Sequence, residues 1–398
     1  MANNLPVEQE RLDPAPAPVP GAFQRVLLLY FLALIAFVPL WQLGMEIIQH
    51  KPIQAAEVFR QVPTQERLTA YERALESNSV VAEAVRQRLQ WLGLVVLQAG
   101  NQKALVGPHW SLFYQPSVES VLRPGFMARP EAPGHPLPAI VAFHEALAAQ
   151  GVELIVLAVP GKEAIYPEWL QPRYPQANGP ACSPHLRLLA ERLRQRGIKF
   201  VDPTNRLWAQ KHSQPLYLRH DTHWTPQGLK LVAEELARQV DWPGIEGRKY
   251  RLQEVPVTAP GDLLEMLKLP ELPTPFTPER VIMHRVLHVL TGQPVEPDTQ
   301  SPVVLLGDSF SNIYSAPEMG WGDHGGLSEQ LAYLLNRTVD LIAMNDGGVN
   351  RTRVTLARRQ NPLQGKQVVI WQFAARDLVV SNGQWEIISL DKTQGSKP

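Results

Sequence analysis

The chain has 398 residues, enough by length for about two or three domains, and its 38 Lys+Arg cancel 38 Asp+Glu. That balance removes a global basic field and with it a general nucleic-acid binder, and a hydrophobic content of 44% excludes wholesale disorder. A single cysteine, Cys182, rules out an intrachain disulfide and any Cys-x-x-Cys metal or redox site, while the 37 prolines are nearly double the usual ~5% share.

Residues 1–25 form a proline-rich tail. Val26 to Gly44 (VLLLYFLALIAFVPLWQLG) is an uncharged apolar run, which at ~1.5 Å per residue nearly spans the ~30 Å core of a bilayer. A cleaved signal peptide has a shorter apolar core and a small-x-small cleavage site, and Met45–Ile48 offers none. The run therefore reads as an uncleaved single-span anchor. Arg11 and Arg25 on one flank balance Lys51 and Arg60 on the other, so charge gives no direction. The usual bitopic arrangement makes 1–25 a cytoplasmic tail, 26–44 the transmembrane segment and everything beyond it translocated.

Gln65–Ala99 reads as helix, with Leu68, Tyr71 and Leu75 and then Val81, Val85, Leu89 and Leu92 on an apolar stripe, divided near Asn78-Ser79. It makes 45–100 a helical stalk. Leu105–Tyr114 reads as a strand or hairpin rich in aromatics, and 124–138 as a proline-rich linker. Helices then alternate with apolar strands. Helices are predicted at Ala139–Gln150, His185–Arg196, Pro226–Val240, Leu327–Asn336 and Arg351–Gln360. Strands are predicted at Val152–Val159, Ile198–Val201, Val303–Leu306, Val339–Ala343 and Val368–Phe373. Continuous apolar strands between amphipathic helices imply a mostly parallel sheet covered on both faces, a three-layer α/β/α unit over 101–398. A proline-rich insertion, 242–301, reads as an elaboration over the sheet edge.

Sites in such sheets form at the carboxyl ends of strands, and three stretches fall there. In VVLLGDSFSNIY (303–314), Gly307 lets the chain turn and Ser309 opens a helix, its hydroxyl outward and its N–H able to meet an oxyanion. As a lone motif, Gly-Asp-Ser is equally a capped turn. In LYLRHDTHWTPQG (216–228), Thr225-Pro226 is a helix start, and Asp221 and His223 precede it. An Asp carboxylate can fix an imidazole tautomer so that the other ring nitrogen takes a serine proton. The rival reading is a metal set of His220, Asp221 and His223 completed by Asp308, His324 or Asp346, but the spacing fits no metal motif. The third stretch, Asn345-Asp346-Gly347-Gly348-Val349-Asn350, is a turn that could aim an N–H at an oxyanion. Together they make an acyl-transfer set of Ser309, His223 and Asp221, with no metal and no cofactor.

GDSF with a following Gly loop resembles the SGNH-hydrolase superfamily of esterases and acetyltransferases. Here the Asp/His block precedes the serine, a circularly permuted order. That order, with DTHWTPQG, GDSF and VPGKEAIYPEWL (159–170), resembles the periplasmic alginate O-acetyltransferases of the AlgJ and AlgX type, AlgJ-like in its anchor. The resemblance implies that Ser309 is the nucleophile, His223 the general base and acid, and Asp221 its orienting partner. The N–H groups of Ser309 and Gly348 are oxyanion-hole candidates. Lys162, Tyr166, Trp224, Tyr314 and Arg376 are candidate substrate contacts, and Gln372 or Arg376 stands where the superfamily carries an asparagine. It further implies an inner-membrane protein with its catalytic domain in the periplasm, a membrane-bound O-acyltransferase partner supplying acetyl groups, and an exopolysaccharide acceptor, alginate or another. A polysaccharide acetylesterase using the same triad, and a non-catalytic scaffold subunit, are the alternatives.

Overall fold

A computed structural model describes residues 21–50, 64–69, 72, 80–122, 132–175, 178–242, 247–269, 273–274, 276–345, 348–380 and 384–390. Two compact units divide the chain, Met1–Leu89 and Gln90–Pro398. In the first unit, Gly21–Ile48 is one helix, and its stretch Arg25–Ile48, with mean hydropathy 2.3, has the length and composition of a membrane span. Many of its large apolar side chains, Leu29 and Leu40 among them, are exposed. Helix also covers 65–69, and Val80–Leu97 is a further helix. The expected division near Asn78-Ser79 lies outside the described residues.

The second unit takes in the end of helix Val80–Leu97. Leu94 is fully buried with Ala104, Leu112, Leu263, Leu264, Leu267 and Phe276. The aromatic stretch is the expected hairpin, β1 (Ala104–Val106) against β2 (Leu112–Tyr114). β3 (Glu153–Val159), β4 (Lys199–Val201), β7 (Val303–Gly307), β8 (Asp340–Ala343) and β9 (Val368–Ala374) form the central sheet. Its order is β4-β3-β9-β7-β8 and every pairing is parallel.

Both faces of this sheet are covered, which is why its strands read as unbroken apolar runs. Ile155, Leu157, Val303, Leu305 and Ile370 point to one core, shared with Leu229, Val232 and Leu236 of helix Pro226–Gln239 and Leu327 and Leu331 of helix Leu327–Leu335. Their neighbours Leu154, Val156, Val304, Leu306 and Trp371 point to the other. That core is closed by helices Pro136–Ala148, Pro184–Arg194 and Gly348–Arg358.

Two expectations are corrected. The helix expected from Ala139 begins at Pro136, so the last prolines of the expected linker lie in its first turn, where a missing N–H costs no intrahelical bond. The His135 ring caps that turn by accepting from Leu137 N at 3.0 Å. The helix expected from Arg351 begins at Gly348, which makes the end of the Gly-Gly turn a helix start; Asp346 and Gly347 lie outside the described residues. The insertion, expected as an elaboration over the sheet edge, joins the core on one face of the sheet. It contains a long antiparallel ribbon, β5 (Tyr250–Ala259) paired with β6 (Glu279–His288), whose Tyr250, Met283 and Val286 join the first core. Between these strands sits the short helix Asp262–Met266.

Candidate active site

Ser309 follows β7 as the first residue of the turn Ser309–Asn312. A side chain at Gly307 would place its Cβ 2.3 Å from Ser311 Oγ and 2.6 Å from Ser311 Cβ, so the close packing of the serine turn on β7 calls for glycine there. Asp308 is the cap. Its Oδ1 accepts from Phe310 N at 2.8 Å and from Gln372 Nε2 at 2.7 Å, and its Oδ2 accepts from Ala374 N at 2.9 Å. Gln372 Oε1 in turn accepts from Asp308 N at 3.0 Å and from Ser311 Oγ at 2.6 Å. Gln372 is therefore committed to holding the serine turn against β9 and is not aimed at a ligand.

His223 lies in the loop before helix Pro226–Gln239. That loop is closed on itself by Leu218 N to His223 O at 3.0 Å and Thr225 N to Leu216 O at 2.9 Å. Thr225 caps the helix as its sequence predicts, accepting from Gly228 N at 3.2 Å. The His223 ring meets the Phe310 ring edge-on at 4.7 Å, and Trp224 meets the same ring at 5.0 Å. The hydroxyl of Tyr314 donates to Trp224 O at 2.9 Å. Trp224 and Tyr314 are thus buried supports of the histidine rather than groups open to substrate.

Asp221, His223 and Ser309 form one chain. Nδ1 of His223 is 2.6 Å from Asp221 Oδ1, and Nε2 is 2.8 Å from Ser309 Oγ. Asp221 Oδ1 also accepts from His223 N, and its Oδ2 accepts from the Trp321 indole at 2.9 Å and from Asp262 N at 3.0 Å. Burial opposes the Asp221 charge. The adjacent imidazole and these hydrogen bonds outweigh it and hold the carboxyl well below the usual carboxylate range. Burial likewise opposes an imidazolium at His223, but the Asp221 charge and hydrogen bond, followed by Asp262 and Asp308, raise its pKa above the ordinary value. An anionic Asp221 fixes the proton on Nδ1 and leaves Nε2 to accept from the serine.

Ser309 opens into a cleft of about 260 Å³ lined by Tyr114, Asp308, Gly348, Thr352, Phe373 and Arg376 among others. Arg376 is the cation in this wall. Its guanidinium lies 5.1 Å from the Tyr114 ring centroid and 5.9 Å from that of Phe310. Burial works against its charge, but Asp377 and Asp308 more than compensate. The other expected contacts are not in this wall. Lys162 is buried and donates to Leu112 O at 2.7 Å and Arg219 O at 3.0 Å, so its ammonium joins β2 to the histidine loop. Tyr166 is stacked on Trp169 and accepts from Leu216 N at 3.0 Å.

Sequence reasoning missed Trp321 and Asp262, both supplied by segments far from the DTHW block. Asp221, His223 and Asp262 bring ligand-type atoms within 4.8 Å of one another. The His223 nitrogens and both Asp221 oxygens are nevertheless already engaged by the triad, Trp321 and backbone N–H groups. His220 instead packs on Phe276, and His324 pairs with Glu296 at 2.9 Å.

A serine at the end of a parallel strand, facing a His-Asp pair across a covered sheet, defines an SGNH-hydrolase-like α/β protein. Residues 126–375, more than half the chain, match the family described as "SGNH hydrolase-like domain, acetyltransferase AlgX", and the chain belongs to that family. It is 28% identical over 260 residues to the "Probable alginate O-acetylase AlgJ" of Pseudomonas fluorescens, covering 61% of each chain. The protein of the same name from Azotobacter vinelandii is 29% identical over 252 residues, covering 60% of this chain and 61% of that one. The match thus spans 61% of the length of either relative. Among solved structures, the O-acetyltransferase domain of Pseudomonas putida AlgJ superposes with a TM-score of 0.53 at 21% identity, over 70% of this chain and 92% of that one. Pseudomonas aeruginosa AlgX superposes with a TM-score of 0.51 at 19% identity, over 68% and 61%. The family match carries the membership, and the likeness to the solved structures shows the α/β fold.

Proposed function

We propose that the protein is an O-acetyltransferase that carries acetyl groups through an acetyl-serine intermediate onto hydroxyls of alginate or a similar acidic exopolysaccharide. The single observation that carries this reading is the unbroken Asp221–His223–Ser309 chain at 2.6 and 2.8 Å. His223 removes the Ser309 proton, and Ser309 Oγ attacks the donor's acetyl carbonyl. His223 then returns the proton to the leaving group. A sugar hydroxyl, deprotonated by the same imidazole, attacks the acetyl-serine, and Ser309 regains its proton. Asp308 occupies the N–H of Phe310 and the turn takes up that of Ser311, so the N–H of Ser309 meets the oxyanion, assisted by that of Gly348, which also lines the cleft. Arg376 supplies the positive charge that an acidic polymer would meet there.

In this reading, residues 1–25 are a cytoplasmic tail and the helix around 26–44 is an inner-membrane anchor. The α/β unit lies in the periplasm, beyond the reach of cytosolic acetyl-CoA, so a membrane-bound O-acyltransferase partner supplies the acetyl group. Tethering raises the effective concentration at that partner. The apolar Arg25–Ile48 helix and the names of the relatives support this placement.

The test is the full chain with an acetyl ester donor and acetyl-free alginate. Acetylated polymer from the wild type, absent with Ser309→Ala or His223→Ala, is the expected result. Release of acetate alone, with no polymer acetylated across several acceptors, identifies an esterase instead.

A further inference from the structure

The insertion brings a second carboxylate to the back of the imidazole. Gly261 sits at φ +94° with its absent Cβ 2.4 Å from His220 O, so only glycine lets this segment lie against the histidine loop. Three backbone bonds then pin the two segments together. Leu263 N donates to His220 O at 3.2 Å, Asp262 N to Asp221 Oδ2 at 3.0 Å, and Thr222 N to Asp262 Oδ1 at 2.7 Å. The other oxygen of Asp262 stands 3.8 Å from His223 Nδ1, on the side of the ring that already faces Asp221. One imidazole thus has a hydrogen-bonded carboxylate and a non-bonded one behind it.

We propose that Asp262 is a positioning residue which, when ionised, stabilises the His223 imidazolium formed as Ser309 gives up its proton, so that the ribbon insertion tunes the strength of the catalytic base. The inference rests on the acyl-transfer reading above. Its physical basis is Coulombic: a carboxylate about 4 Å from a forming cation, in a partly buried setting, favours the charged ring. The Asp262 oxygen gives no hydrogen bond to His223, so its effect is on charge rather than on the tautomer, which Asp221 fixes.

The charged neighbours on every side agree with this assignment. Asp221 shares the loop of His223, and Asp308 faces the ring from the end of β7. Lys162 faces Asp221, Asp262 and the β6 residue Glu279, while Glu279 itself is occupied by the N–H groups of Arg219 and His220. Burial, followed by the Asp221 charge, pushes the Asp262 carboxyl up to about 6, although 28% of its side chain remains exposed. Above that value it is an anion behind the ring. Below it, it is neutral and the ring loses that support.

Asp262→Asn keeps the acceptor for Thr222 N and removes the charge. In the full chain with an acetyl ester substrate, the acidic limb of kcat/KM should move to lower pH by about half to one unit, with kcat at neutral pH reduced by ~3- to 10-fold, one unit corresponding to tenfold. Asp262→Glu should keep the limb near its wild-type position. An acidic limb unmoved in Asp262→Asn, whatever the loss of kcat, overturns the proposal, because a purely structural role would scale the rate without moving the limb. Should the variant fail to fold, the wild type itself decides. The rate at which a sulfonyl fluoride labels Ser309 should fall below neutrality along a limb broader than one proton uptake, because a proton on Asp262 makes the next one at His223 harder to bind, and a limb with the width of a single uptake overturns the assignment. Absence of any Ser309 labelling contradicts the acyl-transfer reading and the proposal together, whereas labelling along a limb of single-uptake width sinks only the proposal.

Discussion

Two cations stand after neighbouring strands of the central sheet, the buried Lys162 beyond β3 and the half-buried Arg376 beyond β9. Lys162 donates two of its three N–H groups to the carbonyls of Leu112 and Arg219 and lies 5.5 Å from the Phe113 ring centroid. Arg376 has aromatic faces around it, a 3.5 Å approach to Ser117 Oγ, and a position in the wall of the cleft that holds Ser309. Position at a strand end is therefore shared by a structural group and a candidate functional one. What separates them is how fully the protein satisfies the donors, since a buried polar group taken up by protein partners has little left for a ligand.

Substitution at each cation sharpens or breaks this contrast. Arg376→Gln should lower kcat/KM for transfer from an acetyl ester to alginate by ~10–10²-fold, as for loss of one charged contact to the acceptor, with the fold retained. Lys162→Met should do the reverse, leaving kcat per folded molecule unchanged but destabilising by about 1–3 kcal/mol, because two buried carbonyls lose their donor. Denaturant unfolding beside acetyl-ester kinetics measures both, and exchanged outcomes would invert the assignment.

Lys162 also predicts a pH dependence. Burial lowers its pKa to about 8 from 10.5. Between these values the unfolded chain keeps a proton the folded chain has released, so this group makes stability rise with pH across that window. Wild type minus Lys162→Met should reveal that rise, and a flat or falling difference would show that the ammonium is not desolvated. Catalysis should respond in the acid range, where protonation of His223 removes the base. Because its pKa is raised, kcat/KM should climb with pH to a plateau that begins above 6.5. The smallest expected effect is Trp321→Phe, which removes one of several donors to Asp221 and should slow turnover by ~3- to 10-fold.

Much of the fold was legible because its signals are local. Apolar runs such as Val303–Leu306 and the Thr225-Pro226 helix start carry their structure within a few residues, and both appear where expected. The triad was legible through Gly307-Asp308-Ser309 and Asp221-x-His223 at two chain segments that the parallel topology brings together. The supports were not. The partners of Lys162 come from residues 50 and 57 positions away in the chain, and Trp321 reaches Asp221 across 100. No spacing rule encodes such contacts. Asp262 had a local hint, a Gly-Asp pair opening a short helix as Gly307-Asp308 does. Its target, however, depends on how the ribbon insertion folds back over the histidine loop.

The mechanism turns on the acetyl-serine intermediate. It is tested most directly by incubating the full chain with an acetyl ester without acceptor, quenching in acid and mapping the modified peptide by mass spectrometry. The account predicts one acetyl group on Ser309, discharged when polysaccharide is added and absent from His223→Ala. An acetyl group carried by another residue, or polymer acetylation that persists in Ser309→Ala, would contradict it.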